Sequence, residues 1–173
     1  MTVVAARRRA EALVERLGVS KPPVDVLALA ESLGIPVVTV SLGDDISGLL
    51  ITRNGTTTIC VEKSHHPRRR RFTIAHEIAH FYLRHQFEPG EHVHVDRGTL
   101  VSKRSGRSSE GTNSKEIEAN QFAACLLMPR GLVEAEIGRV GGLLTDATIA
   151  TLADKFVVSE QAMTIRLGTL GWL

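Results

Sequence analysis

His76 and His80 stand four residues apart, with Glu77 directly after the first, in the stretch "RFTIAHEIAHFYLRH" (Arg71 to His85). If this stretch is helical, four residues turn the chain by about 400°, so both imidazoles leave one face. Two nitrogens on one face can hold a metal ion, at about 2.0–2.1 Å each for zinc. Glu77 can take a proton from the attacking water and pass it to a leaving amine. This is the H-E-x-x-H pattern of zinc peptidases. The competing reading is a core helix with two histidines at its edge. Such a helix must find partners for three polar groups on one face, and a metal is one such partner.

A catalytic zinc takes three protein ligands and keeps a fourth position open. "EIEANQFAACLLMP" (Glu116 to Pro129) offers the third. Glu116 and Asn120 share a helical face, so Glu116 can complete the site while Asn120 hydrogen-bonds and orients a ligand. Glu118 is turned about 200° from Glu116 and reads as a solvated charge. The plainer reading of Glu116 is an exposed carboxylate at a helix N-terminus, where the dipole favours it. His92 and His94 alternate, so on a strand they face one way. They either approach the metal from the substrate side or are surface histidines.

These residues need a scaffold. The spacing predicts helices over Ala5 to Leu17 and Val24 to Leu33, each closed by a glycine. Strand patterns follow at Val37 to Val40, Gly48 to Thr52 and Thr56 to Glu62, with the hairpin dipeptide Asn54-Gly55 between the last two. A small antiparallel sheet therefore leads into the H-E-x-x-H helix, whose entry is marked by Ser64 as N-cap and Pro67 in the first turn. Thr56 to Glu62 reads as an edge strand lining the cleft, where Thr58 and Ile59 would pair with an extended substrate. Glu88 to Ser114 is rich in Gly, Ser and charge, with a short strand at His92 to Asp96 and a loop at Ser102 to Ser114. Further helices follow at Lys115 to Met128, Thr145 to Phe156 and Glu160 to Leu167. "LADKFVVSEQAMTIRL" has helix-turn-helix spacing, with Ser159 capping the second helix and Arg166 the one cation expected on its exposed face. That is few cations for a DNA reader.

Together these stretches resemble the ImmA/IrrE family of zinc metallopeptidases. The resemblance runs from "PPVDVLALAESLGIPV" (Pro22 to Val37) to "VSEQAMTIRLGTLGWL" (Val158 to Leu173). It implies an α+β fold, with a minimal zincin-like domain over residues 1–141 and a helix-turn-helix-like lobe over 142–173. It matches His76, His80 and Glu116 to the ligands of a zinc ion (Zn2+) and Glu77 to the catalytic carboxylate. Family members cleave, or trigger cleavage of, a helix-turn-helix repressor, relieving repression of stress-response or mobile-element genes. The expected partner is therefore a repressor protein as substrate. One departure stands out. The family commonly has a histidine four residues after the second ligand; here Arg84 fills that position and His85 follows. The alternative is a non-proteolytic regulator that binds a repressor or DNA and uses zinc structurally.

Composition narrows the class. The chain has 173 residues and 43% hydrophobic content, enough for a core. With 21 Lys+Arg against 19 Asp+Glu, no global basic field calls for nucleic acid. The run Arg68 to Arg71 reads as a solvated face or, more sharply, a dock for an acidic partner or phosphate. Cys60 and Cys125 are too few and too far apart for a disulfide scaffold and read as buried free thiols. No signal segment or bilayer-length apolar run is visible, so a cytoplasmic protein that makes no use of a membrane is expected. Nothing in the sequence selects an oligomeric state.

Overall fold

The computed structural model describes residues 2–43, 45–85, 93–96 and 109–173. His92 and most of the segment expected as a loop lie outside them.

The chain opens with α1 (Val3–Arg16) and α2 (Val26–Ser32), capped by Thr2 and Asp25. Their apolar stripes, including Ala6, Ala10, Leu13, Leu29 and Ala30, are buried. Then come β1 (Val37–Val40), β2 (Gly48–Arg53) and β3 (Thr56–Glu62). Asn54 and Gly55 both take positive φ, 52° and 78°, as a two-residue hairpin turn requires. Next are α3 (Pro67–Leu83), β4 (Val93–Asp96) and α4 (Ser109–Leu127). The chain closes with α5 (Arg130–Arg139), α6 (Asp146–Phe156) and α7 (Glu160–Leu170).

The architecture is α+β, as expected, but the sheet is mixed. Its order is β1-β3-β2-β4. β2 pairs antiparallel with β3 and with β4, whereas β1 lies parallel to β3. This order corrects the expected role of Thr58 and Ile59. β3 is an inner strand, its backbone paired on both sides, and Ile59 is fully buried. Neither residue is available for strand addition. The edges are β1 and β4, and β4 carries His94. The hairpin pattern located β3 correctly but could not show that β1 returns along its far side.

α3 lies across β2 and β3 and packs against α4 on its other flank. It is buried almost all round, as its apolar content predicts. Its N-cap is His66, which accepts from Arg68 N–H, in place of the expected Ser64. Ser64 N–H is instead held by Glu62. Pro67 opens the helix as anticipated. Gly48 lets the sheet approach: a Cβ there would lie 2.4 Å from Thr73 Cγ2 and 3.3 Å from Glu77 Oε1.

The arginine run stitches α3 to its neighbours. Arg68 pairs with Asp154 of α6, Arg69 donates to Ser47 Oγ at 2.8 Å, and Arg71 donates to Val24 O at 2.9 Å. Arg166, expected on an open face, is buried instead. It donates to Met128 O at 2.9 Å and to Glu11 at 2.7 Å, tying α7 to α1 and the end of α4. Buried residues of α6 and α7, including Leu152, Phe156, Met163 and Leu167, join the same cluster as those of α1, α3 and α4. Cys125 is buried and Cys60 partly so; both are free. No helix of the described residues is long and apolar enough to cross a membrane.

Candidate metal centre

α3 presents His76 and His80 one turn apart, and α4 brings Glu116 against them. His76 Nε2 lies 3.0 Å from His80 Nε2 and 3.2 Å from Glu116 Oε2, and His80 Nε2 lies 3.4 Å from Glu116 Oε1. A tetrahedron with zinc-length bonds of about 2.0–2.1 Å has edges of about 3.3–3.4 Å. The two imidazole nitrogens, at 3.0 Å, lie slightly inside that spacing, and the two Glu116 oxygens, at 3.2 and 3.4 Å, lie close to it.

The proton positions strengthen the fit. Asn120 Oδ1 lies 2.9 Å from His76 Nδ1 and can accept its proton, the arrangement that gives a metal the lone pair on Nε2. That lone pair faces another imidazole nitrogen and a carboxylate. A metal ion placed between these nitrogens and the carboxylate would be attracted to all of them. Asn120, one turn along α4 from Glu116, sits where the sequence reading put it. The ligand atoms of His76, Glu77 and Asp96 also lie within 4.8 Å of one another. Glu77, however, already engages His94 through one oxygen, so the first trio is the stronger cradle.

Glu77 is fully buried between α3 and the sheet. Its Oε2 accepts from His94 Nδ1 at 3.1 Å, while Oε1 has no hydrogen-bond partner among the described residues. Burial raises its pKa, opposed chiefly by the hydrogen bond and the charge of His94. The result is a carboxylate made more basic, with its second oxygen packed toward Gly48.

His94 is more central than its place on a strand suggested. Its Nε2 lies 3.2 Å from Glu116 Oε1, so the ring spans the two carboxylates. Burial disfavours its charge, yet the hydrogen bonds to Glu116 and Glu77 outweigh this and push its pKa up to about 9. Burial pulls His80 the other way, down to about 3. Burial would raise the pKa of Glu116, but the imidazoles of His76, His80 and His94 around it outweigh this and hold it far below the ordinary carboxylate range.

Two residues escaped the sequence reading. Glu118, expected in solvent, is buried, with Oε2 3.1 Å from His85 Nε2. His85, given no role by the spacing, reaches His80 Nδ1 at 3.0 Å. The 200° that separates Glu118 from Glu116 turns it under the end of α3 instead of outward. Helical angle alone cannot distinguish those directions. Thr58 and Ile59 contribute no side chain to this cluster.

A model of the IrrE N-terminal-like domain, Peptidase_M78, matches residues 30–168. The chain belongs to this family. Peptidase_M78 is a family of metallopeptidases, and His76, His80 and Glu116 are the stronger of two groups among the described residues that could hold its ion. No curated protein matches the chain. Among solved structures, a Mycobacterium tuberculosis transcriptional regulator is similar, with a TM-score of 0.66 at 19% identity. The match covers 94% of this chain and 46% of that one, so this Peptidase_M78 chain spans about half the length of its solved relative. At that identity the likeness establishes the fold.

Proposed function

We propose that this chain is a zinc-dependent endopeptidase that cuts a helix-turn-helix transcriptional repressor and so derepresses stress-response or mobile-element genes. The carrying observation is the convergence of His76 Nε2, His80 Nε2 and Glu116 at 3.0–3.4 Å beside a buried Glu77. Three protein ligands and a neighbouring base describe a catalytic site; a structural zinc is closed by a fourth protein ligand.

Bound there, zinc would supply Lewis acidity, activating water and polarising the scissile carbonyl. Glu77 takes a proton from the water as its oxygen bonds to the carbonyl carbon. The carbon–nitrogen bond then breaks, and Glu77 gives the proton to the departing amine. Asn120 holds His76 in the tautomer that leaves Nε2 free. His94, on the substrate side, steadies Glu77 and lies near the charge that develops on the carbonyl oxygen. An extended substrate segment would lie along the edge strand β4, the one edge that carries a residue of the site.

A repressor substrate is supported by the family resemblance and fits a structural relative described as a transcriptional regulator. DNA is the less favoured partner. Arg68, Arg69, Arg71 and Arg166 spend their charge on internal contacts. Free Cys60 and Cys125 accord with a reducing, cytoplasmic setting.

The test is electrophoretic cleavage of purified helix-turn-helix repressors, starting with any encoded beside this chain. Zinc-loaded wild type should cut it, and Glu77→Gln should bind zinc equally yet leave the repressor whole. Cutting by Glu77→Gln at the wild-type rate would remove Glu77 from the chemistry. Repressor or DNA binding with no turnover by either protein would favour the non-proteolytic regulator.

A further inference from the structure

His85 and Glu118 form the far end of a hydrogen-bonded chain that begins at His80. His80 turns Nε2 toward the candidate metal position, 3.4 Å from Glu116 Oε1 and 3.0 Å from His76 Nε2. A ligating nitrogen needs its lone pair, so the ring proton of His80 belongs on Nδ1. Nδ1 lies 3.0 Å from His85 Nδ1. For that contact to be a hydrogen bond, His85 Nδ1 must accept, which puts the His85 proton on Nε2. Nε2 in turn lies 3.1 Å from Glu118 Oε2, an acceptor only. These two contacts then run in one direction: His80 to His85, and His85 to Glu118.

We infer that His85, held by Glu118, is a positioning residue that sets the tautomer and ring orientation of His80. The inference rests on the metal reading above and extends it to two residues that reading does not use.

Spacing would argue against such a contact. On a continuing helix, five residues turn about 500°, which carries His85 some 140° from His80. The contact exists because α3 ends between them. Arg84 adopts the left-handed conformation, φ 56° and ψ 45°, and closes the helix. Arg84 N–H then bonds Phe81 O at 3.1 Å, and His85 N–H bonds His80 O at 3.0 Å. This cap folds His85 back beneath the ring it must meet. The buried Glu118 side chain arrives from α4, so one helix supplies both Glu116 and the anchor of the chain behind His80. Asn120 performs the matching task for His76.

The experiment is zinc affinity by competition with a chromophoric chelator, together with the visible spectrum of the cobalt-substituted protein. The proteins are wild type, His85→Leu, His85→Asn and Glu118→Gln. His85→Leu should bind zinc about 10–100-fold more weakly, the usual cost of losing a ligand's supporting partner. Its cobalt bands should shift as the His80 ring reorients. His85→Asn offers an amide oxygen where Nδ1 was and should recover most of the affinity; this recovery separates positioning from mere packing. Glu118→Gln keeps an acceptor and should fall between the two. Metal-free His85→Leu that unfolds at the wild-type temperature shows that the loss belongs to the site. Unchanged zinc affinity and cobalt spectrum in His85→Leu would overturn the inference while leaving the metal centre intact. Failure of the wild type itself to bind zinc would overturn the metal reading, and this one with it.

Discussion

In the proposed mechanism, Glu77 accepts a proton in a place that penalises charge. Burial raises its pKa, which makes it a stronger base, while His94 keeps one oxygen ionised through a 3.1 Å hydrogen bond. The same cluster makes the ligand set easy to test one residue at a time. His76→Ala, His80→Ala and Glu116→Ala should each lower zinc occupancy in metal analysis of the dialysed protein, unlike Glu77→Gln. Full occupancy in any of the three would remove that residue from the ligand set. Glu77 and the histidines were legible in the sequence because one helical turn is a rigid ruler: residues four apart must share a face. His94, His85 and Glu118 were not legible in these roles. Their positions depend on where a strand, a helix end and a second helix meet.

Two predictions belong to the elements. β2 reaches α3 only because Gly48 lacks a Cβ. Gly48→Ala would set a methyl 2.4 Å from Thr73 Cγ2 and should cost about 1–3 kcal/mol in chemical denaturation, as overpacked cores do. Thr73→Ser removes the opposing methyl, so the double variant should regain much of that loss. A double variant no more stable than Gly48→Ala would show that the clash lies elsewhere. The second concerns the end of β3. Glu62 accepts from the backbone N–H groups of Ser64, Leu42 and Gly43, and these bonds lower its pKa from 4.5 to about 2. A carboxylate whose folded pKa is depressed stabilises the fold above its unfolded value, and that contribution fades as the pH falls. Stability should therefore drop between pH 4.5 and about 2. Glu62→Gln should be less stable at neutral pH and show a shallower drop over that window. An unchanged slope would mean that Glu62 is no more tightly held in the folded chain than in the unfolded one.

At the scale of the whole molecule, a side chain far from the chemistry joins the two ends of the sequence. Arg166 on α7 reaches Glu11 on α1 and the Met128 carbonyl after α4. Arg166→Ala would leave that carbonyl unpaired and remove the charge opposite Glu11. A loss of about 2–4 kcal/mol is expected, at about 2–4 °C of melting temperature per kcal/mol for a chain of this size. A melting temperature within a degree of wild type would show that apolar packing alone seats α7. We expect the zinc affinity of this variant to be unchanged, because none of its contacts touches the metal centre.

The sequence by itself determined what is local. Helical spacing placed His76, Glu77 and His80 on one face and set Asn120 one turn beyond Glu116. Asn54-Gly55 marked its hairpin, and the strand alternation located β1, β2 and β3. Each of these follows from backbone periodicity over a few residues. Tertiary structure alone decided the order of the sheet, which made β3 an inner strand and put β4, like β1, at an edge. It turned Arg166 and Glu118 inward, and it brought His85 back to His80 through a left-handed residue at the end of α3. Periodicity assigns a side chain to a face of its own element; which neighbour covers that face is set by packing between distant segments, and that depends on the whole chain at once.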